Sequence, residues 1–264
     1  MNKRIVVMGD QHTGHNVGLT SPDYQLEARF ISRNNRSSAV SRKKCWAWFA
    51  KRIDALKPID ILLSMGDAID GKGTKTGGSE LAISNRVEQC KAAADVINYV
   101  GAKKVGMVYG TPYHTGKEED WEDVVASYVD NLEFISGQKF PKINGVQFDI
   151  KHKVSSSSIP HGRMTALARA KMWNTIWHSE HEQQPKAHVI IRGHVHYHNY
   201  CGGDGWVAMS CPAMQGFGSK FGVRQCEGLA QMGFLVFDID EKGDYRWHVE
   251  LAHLLHMKAR AYPL

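Results

Sequence analysis

Residues 4–12 run Arg4-Ile5-Val6-Val7-Met8-Gly9-Asp10-Gln11-His12. The apolar run is short, rich in β-branched side chains and closed by a glycine, which is the pattern of a buried strand. An acid and an imidazole two residues apart follow at its carboxyl end. The arrangement recurs along the chain. A strand over residues 59–65 leads into Gly66-Asp67-Ala68-Ile69-Asp70, and one over 104–109 into Gly110-Thr111-Pro112-Tyr113-His114. Residues 146–151 lead into His152, and residues 188–192 into Gly193-His194-Val195-His196. Five strands thus deliver ionisable residues at their carboxyl ends, where α/β sheets bind ligands.

Helical periodicity fills the intervals. Residues 41–56 place Trp46, Phe49, Ile53 and Leu56 on one face, and further helices are expected over 80–100, near 118–131 and near 163–182. The β-α-β-α-β order of the first half implies a parallel sheet. The tail reads as strands over 206–210, 233–238 and 245–251, with Glu241-Lys242-Gly243 turning between the last two. Helices covering two packed sheets satisfy the whole pattern. No repeat or linker divides it, so residues 1–264 are expected to form one domain.

Composition narrows the class. The chain has 264 residues, 42% hydrophobic and 23% charged, a formal net charge of +6 and 14 histidines. That length buries a core without disulfides. No apolar run approaches the roughly 18 residues of a membrane helix, and residues 1–3 lead into a strand instead of a signal peptide. A cytoplasmic protein with no membrane partner is therefore expected. The five cysteines are widely spaced with no C-x-x-C pair, and are read as reduced thiols.

The residue types at the strand ends specify a chemistry. Carboxylates and imidazoles without thiolates suit divalent manganese, iron or zinc. A carboxylate can bridge two cations, and neutral imidazoles complete each shell without adding charge. Two such ions about 3.5–4 Å apart clamp a phosphoryl group, activate water and stabilise the leaving oxygen. One D-x-H is unremarkable by itself; the ordered set, all at strand ends, is not.

Asp10-x-His12, Gly66-Asp67-x-x-Asp70, the Gly110 block, His152 and Gly193-His194-x-His196 resemble the calcineurin-like metallophosphoesterase superfamily, over roughly residues 4–250. The Gly-Thr-Pro-x-His block is similar to that of phage and prophage members. The resemblance implies an α/β fold, a four-layer αββα sandwich of two mixed β-sheets flanked by helices, with the metal site at strand carboxyl ends. It implies two divalent metal ions, Mn2+ first and Zn2+ or Fe next. Asp10, His12 and His196 would hold one ion, His152 and His194 the other; Asp67 would bridge them and Asp70 would orient a ligand. One block departs from the pattern. The family has Gly-Asn-His, with asparagine on the second metal and histidine protonating the leaving group, whereas here asparagine is absent and His114 lies two positions late. Either His114 is the acid while Thr111 or water fills the vacancy, or His114 takes the ligand place; the acid role is preferred.

The loops over 153–163 and 211–226 bear on substrate. They carry His161, Arg163, Lys220 and Arg224, which are candidates to grip phosphate oxygens, against the alternative of ordinary surface loops. Residues 29–52 hold eight Lys or Arg and no acid, interleaved with aromatics. The aromatics read best as a buried stripe, leaving the basic residues of 29–44 as a nucleic-acid contact. His178 and His181 fit a solvated helix end, and His15 stays a loose candidate. The expected activity is metal-dependent hydrolysis of phosphate esters, first as a phosphodiesterase or nuclease acting on DNA, RNA or nucleotides. A phosphomonoesterase is the near alternative, and a non-catalytic metal-binding scaffold for protein interaction the distant one.

Overall fold

The computed structural model describes residues 1–25, 36–117, 120–180, 182–216, 218–219, 222, 230–253, 261 and 263. In chain order the elements are β1 (Lys3–Met8), α1 (Arg36–Leu56), β2 (Ile61–Ser64), α2 (Arg86–Tyr99), β3 (Lys104–Val108), α3 (Pro112–Thr115), α4 (Trp121–Ala126), β4 (Leu132–Ser136), β5 (Lys142–Ile143), β6 (Val146–Lys151), α5 (Thr165–Ser179), β7 (Val189–Arg192), β8 (Asn199–Gly203), β9 (Trp206–Ser210), β10 (Gly233–Ile239) and β11 (Tyr245–Leu251). The strands form two sheets, β11-β10-β1-β2-β3-β4 and β5-β6-β7-β9-β8. In the first, β1 to β4 are parallel while β10 and β11 are antiparallel additions. In the second, β6, β7 and β9 are parallel with antiparallel strands at both edges.

Alternation along each strand explains the layers. Ile5, Val7, Leu63, Val108, Leu235 and Phe237 of the first sheet meet Phe148, Ile150, Val189, Ile191 and Met209 of the second. The intervening residues Val6, Met8, Leu62, Met107 and Val236 face outward onto Phe49 and Ile53 of α1 and Cys90, Ala93 and Val96 of α2. On the far side, Ile190 and Ala208 are covered by Leu167 of α5. Each such fully buried aliphatic or aromatic side chain is worth about 1.5–3 kcal/mol. The result is the expected helix-sheet-sheet-helix sandwich. Among the described residues no helix is long and apolar enough to cross a membrane.

Several boundaries differ from the expectation. α1 begins at Arg36, five residues before 41, and α2 is confined to Arg86–Tyr99, where the Asn85 side chain accepts from Val87 and Glu88 and sets the start. The helix expected near 118–131 shrinks to the six residues of α4, and β4 follows it. The helix expected near 163–182 is a 3₁₀ turn, Pro160–Met164, followed by α5. β4, β5 and β8 were not anticipated: β5 has two residues, and β8 reads Asn-Tyr-Cys-Gly-Gly, a low-propensity edge strand. The four described cysteines are free thiols, and Cys226 lies outside the described residues.

Candidate metal centre

The carboxyl ends of β1, β2, β3, β6 and β7 converge, and their residues form three overlapping groups: Asp10, His12 and His196; Asp67, His152 and His194; and His12, Asp67 and His114. In each, one potential ligand atom per residue lies within 4.8 Å of the others. Every motif histidine and acid of the sequence reading except Asp70 belongs to a group, and Asp70 lies beside them.

The backbone is bent to achieve this. Asp10, His12, Asp67, His194 and His196 have φ of 50°, 46°, 50°, 74° and 57°. Left-handed backbone is uncommon for residues other than glycine, and strain of this kind gathers at functional sites. Two glycines make room for the turns. A Cβ on Gly110 would stand 2.2 Å from Asp67 Oδ1, and one on Gly193 3.0 Å from Asp10 Oδ2. Hydrogen bonds lock the loops together: Asp10 N–H donates to Gly66 O at 2.9 Å and His12 N–H to Asp67 O at 3.0 Å. Two bonds cross between sheets, from His194 N–H to Asp10 Oδ2 at 3.0 Å and from His152 Nδ1 to Met65 O at 2.6 Å.

The donor set fits cations. With Nδ1 of His152 committed to Met65 O, its buried Nε2 lies 3.1 Å from Asp67 Oδ2 yet has no hydrogen-bond partner. A ring nitrogen fixed by a backbone carbonyl on its far side is the usual posture of a metal-bound histidine. The Nε2 atoms of His12 and His196 stand 3.0 Å apart, with Asp10 Oδ1 3.3 Å from the latter. Lone pairs placed so closely need a positive charge between them.

The cluster's own charges shift one another. Burial pushes the Asp67 carboxyl up, but His152 outweighs it and holds the acid well below the usual range. Burial pushes His152 down, and Asp67 and Asp10 pull it up to about 10. His12 is driven down to about 4 by burial and by His114. Desolvation lowers His194, with His152 adding to it; in His196 the bond to Asp10 overcomes desolvation and raises it.

The irregular third block is now visible. Thr111 donates its N–H (2.7 Å) and its hydroxyl (3.1 Å) to Asp67 Oδ1, so it steadies the carboxylate. His114 sits on α3 with Nδ1 3.1 Å from Asp70 O, its ring edge-on to His12 at 4.4 Å between centroids. Asp70 Oδ1 lies 3.5 Å from Nδ1 of both His12 and His114. His15 is buried, its Nδ1 accepting from Val17 N–H and its Nε2 3.7 Å from Glu80.

Of the proposed substrate contacts, His161 and Arg163 lie on the 3₁₀ turn, with Arg163 Cζ 4.4 Å from the centre of the Tyr197 ring. Lys220 and Arg224 lie outside the described residues, as do Arg29, Arg33 and His181. Arg42 is a correction to the basic contact region: it is 3% exposed and donates to Asn16 O at 2.7 Å, so it ties α1 to the loop after β1. Trp46, Trp48 and Phe49 pack on the core, as the buried-stripe reading expects. His178 Nδ1 pairs with Gln184 O.

Two supports were not foreseen. Glu122 of α4, fully buried, accepts from Ala68 N–H at 3.0 Å and from Gly110 N–H, joining the loops that carry Asp67 and Thr111. Its position gives no signal in the sequence, since Glu122 is one of five acids in Glu118-Glu119-Asp120-Trp121-Glu122-Asp123. Arg192, the residue before Gly193, is buried against Asp149 with an Nη2–Oδ2 distance of 2.7 Å. Its Nη1 also donates to Asp149 O at 3.0 Å, fixing the ends of β6 and β7 in register.

No protein-family model and no curated protein sequence matches the chain. Solved structures do resemble it, at low identity. An archaeal phosphodiesterase aligns over 94% of this chain and 99% of its own, with 13% identity and a TM-score of 0.46. Zinc-complexed Vps29 from Entamoeba histolytica aligns over 94% and 98%, with 15% identity and a TM-score of 0.45. A predicted phosphoesterase from Streptococcus pneumoniae aligns over 95% and 99%, with 9% identity and a TM-score of 0.39. Two mixed sheets between helices, with the Asp and His motifs gathered at strand ends in the order given, are the arrangement that the sequence's resemblance to calcineurin-like metallophosphoesterases implies.

Proposed function

We propose that the cluster is the centre of a metal-dependent phosphoesterase acting on phosphodiesters of nucleic acids or nucleotides. The observation that carries this reading is the set of fixed, unpartnered imidazole nitrogens facing buried carboxylates, above all His152 Nε2 against Asp67. Asp10, His12 and His196 would hold one divalent cation, His152 and His194 a second, with Asp67 shared. Bound there, manganese, or zinc or iron in its place, supplies water acidified toward neutral pH and neutralises charge on the phosphoryl oxygens.

The chain's own residues do the rest. Thr111 holds Asp67 through two donors, and Glu122 holds both of their loops. His114, tied through Nδ1 to Asp70, presents Nε2 as the atom that hands a proton to the leaving alcohol. His161 and Arg163 contact substrate phosphate, and Lys220 and Arg224 are assigned the same role. The net charge of +6 favours a polyanionic substrate.

The test is hydrolysis of bis(p-nitrophenyl) phosphate with manganese, by the wild type and by Asp67→Asn and His196→Ala. Unchanged rates in both variants overturn the reading. A much faster rate on p-nitrophenyl phosphate assigns the site to monoesters. Binding of less than about one equivalent of metal after supplementation favours the scaffold.

A further inference from the structure

Gln89 is a polar side chain in apolar surroundings. It lies on α2, is 0% exposed, and its helix neighbours Cys90, Ala93 and Val96 belong to the core. Burying an amide costs free energy unless its hydrogen bonds are remade inside the protein. Here both ends are satisfied. Oε1 accepts from Gly71 N–H at 2.8 Å, while Nε2 donates to Gly71 O at 3.0 Å and to Ile83 O at 2.7 Å. The same amide fills the space beside Gly14, where a Cβ would stand 2.5 Å from Gln89 Cδ. One side chain thus abuts the loop that follows His12 and grips the loop that follows Asp67.

The grip falls on a particular peptide group. Gly71 N–H shares its peptide with Asp70 O, and Asp70 O is the atom that His114 Nδ1 meets at 3.1 Å. A carbonyl only accepts, so Nδ1 carries the proton of that bond. Gln89 and His114 therefore hold opposite ends of one planar unit, and the bond at its N–H strengthens its oxygen as an acceptor. The packing is close as well: a Cβ on Gly71 would stand 2.2 Å from His114 O. The Asp70 carboxylate, 3.5 Å from His114 Nδ1, is the more distant partner.

We infer that Gln89 is a positioning residue for His114: through the Asp70–Gly71 peptide it orients the ring and keeps a proton on Nδ1, leaving Nε2 to face the leaving group. In the step, the Nε2–H bond of the imidazolium breaks and the departing ester oxygen takes that proton, together with the electron pair of its bond to phosphorus. The neutral ring that remains is the tautomer that Asp70 O already holds. The inference deepens the phosphodiesterase reading and rests on it for the identity of the reaction, but the tautomer can be read without turnover.

The experiment compares two diesters on one preparation of the manganese-loaded protein: bis(p-nitrophenyl) phosphate and diphenyl phosphate, whose more basic leaving group needs the proton more. Gln89→Leu should slow diphenyl phosphate by about a hundredfold and bis(p-nitrophenyl) phosphate by less than about tenfold. The ratio of the two rates does not depend on the fraction of protein folded. Gln89→Glu keeps an acceptor for Gly71 N–H and, when protonated, a donor for one carbonyl, so it should retain most of the wild-type ratio. Gln89→Asn, whose amide is one methylene short of Gly71, tests the same point where the leucine variant does not fold. Added to His114→Ala, Gln89→Leu should leave the ratio where the first substitution put it. Nitrogen-15 resonances of the zinc-loaded, histidine-labelled protein, at a pH where the ring is neutral, give the second readout. His114 should be protonated on Nδ1 in the wild type and lose that preference in Gln89→Leu. A ratio unmoved in active protein, or a tautomer unmoved, overturns the inference, because a side chain that merely braces the loop slows both esters alike. A tautomer shift in a protein that hydrolyses neither ester keeps the positioning and defeats the phosphoesterase. Hydrolysis with ratio and tautomer both insensitive to Gln89 does the reverse.

Discussion

Asp67 and Glu122 are both buried carboxylates, 1% and 0% exposed; Asp67 accepts from Thr111 N–H, and Glu122 from the N–H groups of Ala68 and Gly110. Their protonation is opposite. Burial drives Glu122 up to about 8, aided by the negative charge of Asp67, while the imidazoles around Asp67 keep it ionised far below the usual range. The neighbours, not the depth, set the charge. One acid faces imidazoles; the other joins the loops that carry Asp67 and Thr111.

The sharpest way to break this pairing is Asp67→Asn, which keeps the shape and removes the charge that two cations would share. Hydrolysis of bis(p-nitrophenyl) phosphate should fall by about a thousandfold or more. Glu122→Gln should act through position alone. An amide presents one acceptor and one donor to two N–H groups, so one loop loses its anchor. Manganese affinity measured by calorimetry should drop by about 10- to 100-fold, the usual effect of a group that orients a ligand. An unchanged affinity would show that the loops hold themselves.

Gly110→Ala attacks the contact between the two loops, since the new Cβ would also stand 2.3 Å from Asp67 N. A loss of roughly 1–3 kcal/mol in urea unfolding is expected, with metal affinity falling alongside. A pH series on the metal-stripped protein sharpens the contrast further. Glu122 has a folded pKa above its unfolded value, so its contribution is complete below about 4.5 and is lost as pH rises through about 8. Wild type should therefore lose stability across that window relative to Glu122→Gln, by at most about 1.4 kcal/mol per pH unit. The smallest effect belongs to an imidazole outside the cluster: His178→Ala should shift stability by less than about 0.5 kcal/mol and leave metal binding alone.

Much of the centre was legible because a strand ending in glycine and then Asp or His is a local signal. Asp10, His12, Asp67, His152, His194 and His196 needed only the rule that parallel strands bring their carboxyl ends together. What stayed hidden depends on distance in the chain. Glu122 lies 54 residues from Ala68, whose N–H it accepts, and nothing near it in sequence separates it from the other acids of its run. Arg42 looked like part of an exposed basic face until its bond to Asn16 placed it inside. β8 was missed for a third reason: two glycines in five residues have little strand propensity, and only pairing with β9 makes the segment extended.

The left-handed turns at Asp10, His12, Asp67, His194 and His196 set stability and chemistry against each other. Each is a place where glycine would suit the backbone better than the residue present, relieving roughly 1 kcal/mol. A blind selection for heat resistance on the metal-free chain should accumulate glycines there, beginning with His194, whose φ of 74° is the largest of the five. Such a lineage would grow more durable as it dismantled its own cluster of carboxylates and imidazoles.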